Sequence, residues 1–165
     1  MIKIDKFSLE THPGAYECWP KCSRLFFNGV ETGTRLPGYL IEAQYQCATG
    51  YLIITSQDCP FEESNDFFLL TPEFLVLTHK ELMVPFQSFL LHAHWPISDK
   101  AVRLHYQGNL FMTLSIRQSW GITGRKPTLV MEKFARPNED PQAVASMTDL
   151  EQRLQQHRGH TAIAP

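Results

Sequence analysis

Apolar residues recur at every second position along most of this chain. In Tyr39-Leu-Ile-Glu-Ala-Gln-Tyr-Gln-Cys47 the odd-numbered positions Tyr39, Ile41, Ala43, Tyr45 and Cys47 are apolar, and the even-numbered ones are mostly polar. A period of two is the mark of a β-strand with one buried face, because successive side chains point to opposite sides of the sheet. Ala48-Thr-Gly50 supplies a turn, so residues 51–57 are predicted to return as the second arm of an antiparallel hairpin. Similar patterning predicts strands over 67–71 and 74–80, around Pro72-Glu73, and over 88–95, 100–107, 110–117 and 128–134. The short connections between them suit an antiparallel meander in which most strands bury one face. Residues 8–38 interrupt the pattern with Pro13, Gly14, Pro20, Gly29, Gly33, Pro37 and Gly38. Only 24–27 reads as a short strand there.

After Arg136-Pro137 the aromatic residues stop and the character changes. Thr148-Asp-Leu-Glu151 has the form of a capping box, in which the Thr hydroxyl and the Glu carboxylate satisfy free amides at a helix start. Leu150 and Leu154 fall on one helical face, and Gly159 is a natural stop. A helix over about 148–158 is therefore predicted, with Val144 and Met147 lengthening its stripe if it also covers 141–146. The expected architecture is all-β, an antiparallel barrel or two-sheet sandwich of about eight to ten strands with one C-terminal α-helix. An antiparallel body over 1–136 and a C-terminal extension over 137–165 form one domain in this reading.

Composition narrows the function classes. With 165 residues the chain suits one domain, and a formal net charge of −2 gives no electrostatic basis for binding nucleic acid. No apolar run reaches the length of about 20 residues that crosses a bilayer. Charge alternates with apolar residues over Met1-Ile-Lys-Ile-Asp-Lys-Phe7, which leaves no room for the apolar stretch of a signal peptide. A cytoplasmic protein is expected, with Cys18, Cys22, Cys47 and Cys59 as thiols. Cys18-Trp-Pro-Lys-Cys22 lacks the spacing of zinc or redox motifs, and Cys47 continues a core face. Residues 58–66 form an acidic loop that lacks the carboxylate spacing and central glycine of a calcium loop.

One constellation could carry chemistry. With residues 96–99 as a four-residue loop, His94 falls opposite Ala101 and His92 opposite Arg103. His92, His94, Arg103 and His105 then share the face away from Leu91, Ala93, Trp95, Val102, Leu104 and Tyr106. A three-residue loop at Gln107-Gly-Asn109 sets His105 opposite Phe111 and Arg103 opposite Thr113. His92 and His94 are about 7 Å apart along one strand face, a spacing from which two imidazoles can converge on a metal, with His105 as a third ligand. Arg103 would repel a cation, and the four residues also suit the solvated face of a hairpin or a patch for an anion or protein partner. Trp120-Gly-Ile-Thr-Gly-Arg-Lys126 is a Gly-rich basic loop that lacks the P-loop ending, and Arg125 and Lys126 are its candidate contact residues. No serine occupies a nucleophile elbow, and no cofactor is expected.

The reading that follows is a non-catalytic protein-interaction module of inhibitor, immunity or assembly type. Residues 1–66 hold five Lys/Arg against nine Asp/Glu, and residues 67–165 hold ten against eight, an asymmetry that could orient a partner protein. Glu62 and Glu63 on one side, and Arg125 and Lys126 on the other, are the charges to reverse. An apolar ligand held in a barrel, or a metal-dependent enzyme using His92 and His94, are the alternatives.

Overall fold

The computed structural model describes residues 1–57, 64–83, 90–121 and 124–161. Twelve strands and one long helix form among them, and every paired strand is antiparallel. The strands build three sheets that stack in layers and do not close into a barrel, so the arrangement is sandwich-like. The central sheet holds β1 (Ile2–Lys3), β5 (Leu40–Cys47), β6 (Gly50–Ser56), β7 (Asn65–Leu70) and β8 (Val76–Leu82), in the order β1-β5-β6-β7-β8. A second sheet has the order β12-β11-β10-β9, from β9 (Leu91–Ser98), β10 (Ala101–Tyr106), β11 (Leu110–Gly121) and β12 (Gly124–Lys133). A small third sheet joins β2 (Phe7–Leu9), β3 (Cys22–Phe27) and β4 (Val30–Pro37). The helix α1 spans Pro141–Thr161.

The core explains the stacking. Ala43, Tyr45, Leu52, Ile54, Phe67 and Leu69 of the central sheet meet Val102, Leu104, Tyr106, Leu114, Ile116 and Leu129 of the second sheet. On its other face the central sheet offers Ile53, Phe68 and Leu70 to Phe7, Leu25 and Leu36 of the small sheet. The second sheet is covered in turn by α1, which brings Ala143 and Met147 against Trp95, Phe111 and Phe134. Four layers result, and the two inner ones are covered on both sides. That is why Leu52-Ile-Ile54 and Phe67-Phe-Leu-Leu70 are unbroken apolar runs with every residue buried. The expectation that most strands bury one face fails at β6 and β7 for this reason.

Three local features differ from the sequence reading. The stretch read as mostly irregular contains β4, whose Gly33 adopts a positive φ of 79° inside the strand. Twelve strands replace the expected eight to ten, partly because β1 and β2 are only two and three residues long. The helix starts at Pro141 rather than near 148: Asp140 Oδ1 accepts hydrogen bonds from the amides of Gln142 (3.0 Å) and Ala143 (3.4 Å), with proline at the first helical position where no amide is needed. Thr148 lies inside the helix and donates to the Val144 carbonyl, so it is no cap. The helix does cover 141–146, but its buried stripe is Ala143, Ser146 and Leu150 with Met147 beside it, while Val144 and Leu154 of the expected stripe are exposed. The β5–β6 hairpin forms as expected. Cys47 pairs with Gly50, and a Cβ on Gly50 would lie 2.1 Å from the Leu70 carbonyl oxygen, which leaves room for glycine alone.

Gln44 ties the small sheet to the central one. It is 7% exposed, and its Oε1 accepts from the amides of Lys6 and Phe7, both at 2.8 Å, while its Nε2 donates to the Phe7 carbonyl at 3.1 Å. A side-chain amide thus provides the backbone pairing that β2 would otherwise need from a strand. Losing it leaves two amides and a carbonyl without partners, at about 1–3 kcal/mol for each buried group. Gln44→Ala is expected to lower the free energy of unfolding by about 3 kcal/mol in urea titration, whereas the exposed Gln46→Ala should change it by under about 0.5 kcal/mol.

Candidate functional site

The four residues expected to share a solvent face are separated by the register of β9. The β10–β11 pairing follows the predicted register, with His105 opposite Phe111 and Arg103 opposite Thr113, and Asn109 adopts a positive φ of 57°. The β9–β10 pairing does not: Arg103 lies opposite Trp95, Leu104 opposite His94 and His105 opposite Ala93. Compared with the expected pairing, this is a slip of three residues, an odd number that exchanges the faces. Its cause is local. The turn is tight, with Ser98 opposite Ala101, and an irregularity follows between Ala101 and Val102 where Pro96, lacking an amide, faces Val102. A second irregularity leaves His92 as an extra residue between Leu91 and Ala93.

His94 therefore points into the interface of the two large sheets. Its Nδ1 lies 2.5 Å from the Tyr45 hydroxyl, and the Glu42 backbone also hydrogen-bonds to it. Burial, aided by the nearby Lys3 ammonium, pulls its pKa down to about 4. The ring is neutral at pH 7 and shares a short hydrogen bond with the Tyr45 hydroxyl.

Arg103, His105 and His92 lie on the opposite face, under α1. His105 is fully buried, stacks on Phe111 at 4.1 Å between ring centres, and meets the Ser146 hydroxyl at 2.7 Å. His92 packs edge-on against His105 at 5.2 Å, and its Nε2 lies 3.2 Å from Asp149 Oδ2 without the alignment of a hydrogen bond. The Arg103 guanidinium lies 3.4 Å over the Phe134 ring, donates to Thr113 Oγ1, and has Nε 3.6 Å from Oδ2 of Asp140, the helix cap. What reads in the sequence as a solvent face or a site is the seat of the C-terminal helix. The three histidines do not converge, and among the described residues no group of three His, Cys, Asp or Glu is placed to hold a metal ion.

Arg125 and Lys126 lie elsewhere, near the end of the β11–β12 hairpin. β10 pairs with β11 only as far as Ser115, so among the described residues the pairs from Arg117↔Thr128 to Gly121↔Gly124 have no third strand hydrogen-bonded to them, although β8 packs alongside β12. Trp120 is 76% exposed, with the Arg125 guanidinium 4.8 Å from its ring centre. Glu62 and Glu63 lie outside the described residues.

A cleft that the sequence reading did not single out lies beside the small sheet. It has a volume of about 490 Å³ and is lined in part by Lys21, Cys22, Tyr39, Asp66, His79 and Glu81. Asp66 is 2% exposed, and its Oδ1 lies 2.6 Å from Nε2 of His79, whose ring stacks on Phe68 at 4.5 Å. The signal in the sequence was slight: Asp66 is a charge at the start of the apolar run Phe67-Phe-Leu-Leu70. Its partner is thirteen residues away on the neighbouring strand, and the diagonal contact depends on a register no motif encodes.

No family model, no curated protein and no solved structure matches the chain. No helix among the described residues is long and apolar enough to cross a membrane. Cys18, Cys22 and Cys47 are free thiols, and Cys47 packs against the main core.

Two outcomes follow from the helix seat and from His94. A histidine with a depressed folded pKa contributes stability that is complete above its unfolded value and is lost as protons bind. Unfolding free energy should fall between about pH 6.5 and 4, by about 2 kcal/mol from His94 after allowance for its partial exposure. Burial depresses His105 as well, with His92 adding to the effect and Asn109 opposing it, so its contribution has the same sign. Urea titrations of His94→Gln across that range should show a shallower slope. Asp140→Ala should cost about 3 kcal/mol by stranding Arg103, and Asp140→Asn about 1 kcal/mol less because it keeps the cap.

Proposed function

We propose that this protein is a non-catalytic protein-interaction module whose contact element is the free end of the β11–β12 hairpin, and that its partner presents an acidic surface. The carrying observation is Trp120, an indole 76% exposed on a two-stranded ribbon to which no third strand is hydrogen-bonded among the described residues. A large exposed aromatic ring next to arginine is the composition of binding hot spots. Arg125 and Lys126 are both exposed, while the third cation of the ribbon, Arg117, is matched by Glu132 at 2.6 Å. Two cations near the tip are thus left to meet carboxylates on a partner, and such charges speed encounter and set orientation.

A paired ribbon also keeps these side chains ordered before binding, since Trp120 faces Arg125 and the hairpin alternates its side chains between two faces. The apolar-ligand alternative has less support. It calls for an enclosed barrel, whereas the sheets are open and the space between the two large ones holds Tyr45, Phe67, Leu104 and Tyr106.

A photo-reactive phenylalanine analogue at position 120, in the cells that make the protein, should give one discrete protein adduct. The same probe at exposed position 133 should not, and Arg125→Glu with Lys126→Glu should remove most of the adduct. Equal labelling from both positions, or adducts insensitive to the charge reversal, would exclude the ribbon as the contact element. Nucleic acid in place of protein in the adduct would exclude the partner class.

A further inference from the structure

We propose that the cleft lined by Lys21, Tyr39, Asp66, His79 and Glu81 binds a small basic amino acid, independently of the ribbon. The argument starts from Asp66. Its carboxylate is almost wholly buried, and one oxygen accepts the Nε2 hydrogen of His79. The other oxygen, Oδ2, has no hydrogen-bond partner among the described residues. A buried carboxylate oxygen without a donor is costly, and a donor or cation entering the cleft is the direct way to satisfy it.

The charges around the cleft then define the ligand. Asp66 and Glu81 come from β7 and β8, and Lys21, just before β3, also lines the cleft. Two carboxylates and one ammonium are complemented by a molecule with two cationic groups and one carboxylate, which is the charge pattern of lysine, ornithine or arginine. One ammonium or guanidinium goes to Asp66, the other to Glu81, and the carboxylate to Lys21. Tyr39 adds an aromatic ring, a favourable neighbour for a cation. Asp66 takes up the Nε2 edge of His79, which leaves the Nδ1 edge of the ring for a ligand. A volume of about 490 Å³ is ample for a molecule of that size.

The His79 ring and the Cys22 thiol are built-in reporters, since both line the cleft. The experiment uses the whole chain with isotope-labelled histidine, titrated with L-lysine, L-lysinamide and L-glutamate. L-Lysine should shift the His79 ring signals saturably, with half-saturation in the millimolar range or below. It should also slow alkylation of Cys22 by iodoacetamide at least threefold, without protecting the exposed Cys18. L-Glutamate should do neither. L-Lysinamide, which lacks the carboxylate, should bind at least fivefold more weakly, and Lys21→Gln should remove that difference. Glu81→Gln should weaken L-lysine at least fivefold. Lys21 and Glu81 are exposed, so these variants test the site even if Asp66→Asn does not fold. No saturable shift with L-lysine, equal binding of L-glutamate, or unchanged affinity in both exposed variants would overturn the proposal.

Discussion

The burial of β10 on both faces is the constraint from which much of the molecule follows. One face, Val102, Leu104 and Tyr106, meets the central sheet. The other carries Arg103 and His105, which solvent would normally accommodate. Here they lie under a helix, and a guanidinium taken out of water needs a counter-charge and donors' partners close by. Asp140 and Thr113 provide them, with the Phe134 ring as a polarisable floor. Asp140 is also the residue that starts the helix. One carboxylate therefore begins α1 and neutralises the cation beneath it, so that capping and docking are a single event. Further along the helix the Ser146 hydroxyl meets His105, and Asp149 lies beside His92.

The layering sets what is left for function. The middle strands of the two inner sheets are occupied with packing on both faces, whereas the edge strand β8 stays largely exposed. Surfaces that can meet another molecule must come from the edges and ends: the hairpin that outruns its neighbours, and the cleft where the small sheet meets the β7–β8 edge. Both candidate sites combine charged side chains with an aromatic ring, Trp120 in one and Tyr39 in the other. They differ in shape. The ribbon is convex and suits a macromolecular surface, while the cleft is concave and suits a small molecule.

Legibility in the sequence followed the regularity of the backbone. The β5–β6 hairpin could be read because a glycine turn and alternating residues agree on one register, and β10–β11 because Asn109 accepts the left-handed conformation that fixes the loop. Even in β5 the alternation conceals a shift between Ile41 and Ala43, which sends Ile41 toward the small sheet and Ala43 toward the large one. In β9 two such irregularities decided the site. No pattern in Leu91 to Ser98 announces that His92 is an extra residue, so a plausible four-residue constellation dissolved into a core histidine and a helix seat. The helix start was hidden by a competing signal: Thr148 and Glu151 have the form of a cap, but Asp140-Pro141 comes first and the helix runs through. The Asp66–His79 pair was beyond reach because it is a tertiary contact between residues unremarkable on their own.

The covering of the second sheet by α1 also bears on biosynthesis. Translation proceeds from the N-terminus, so a nascent chain that has emerged as far as Phe134 possesses every strand described here. It still lacks the layer that hides Trp95, Phe111 and Phe134. Until residues 140–150 emerge, an aromatic surface with a partly desolvated arginine at its edge faces the medium, a natural target for chaperones. A chain stalled or cleaved in that interval would carry a sticky aromatic face that α1 conceals once residues 140–150 have docked.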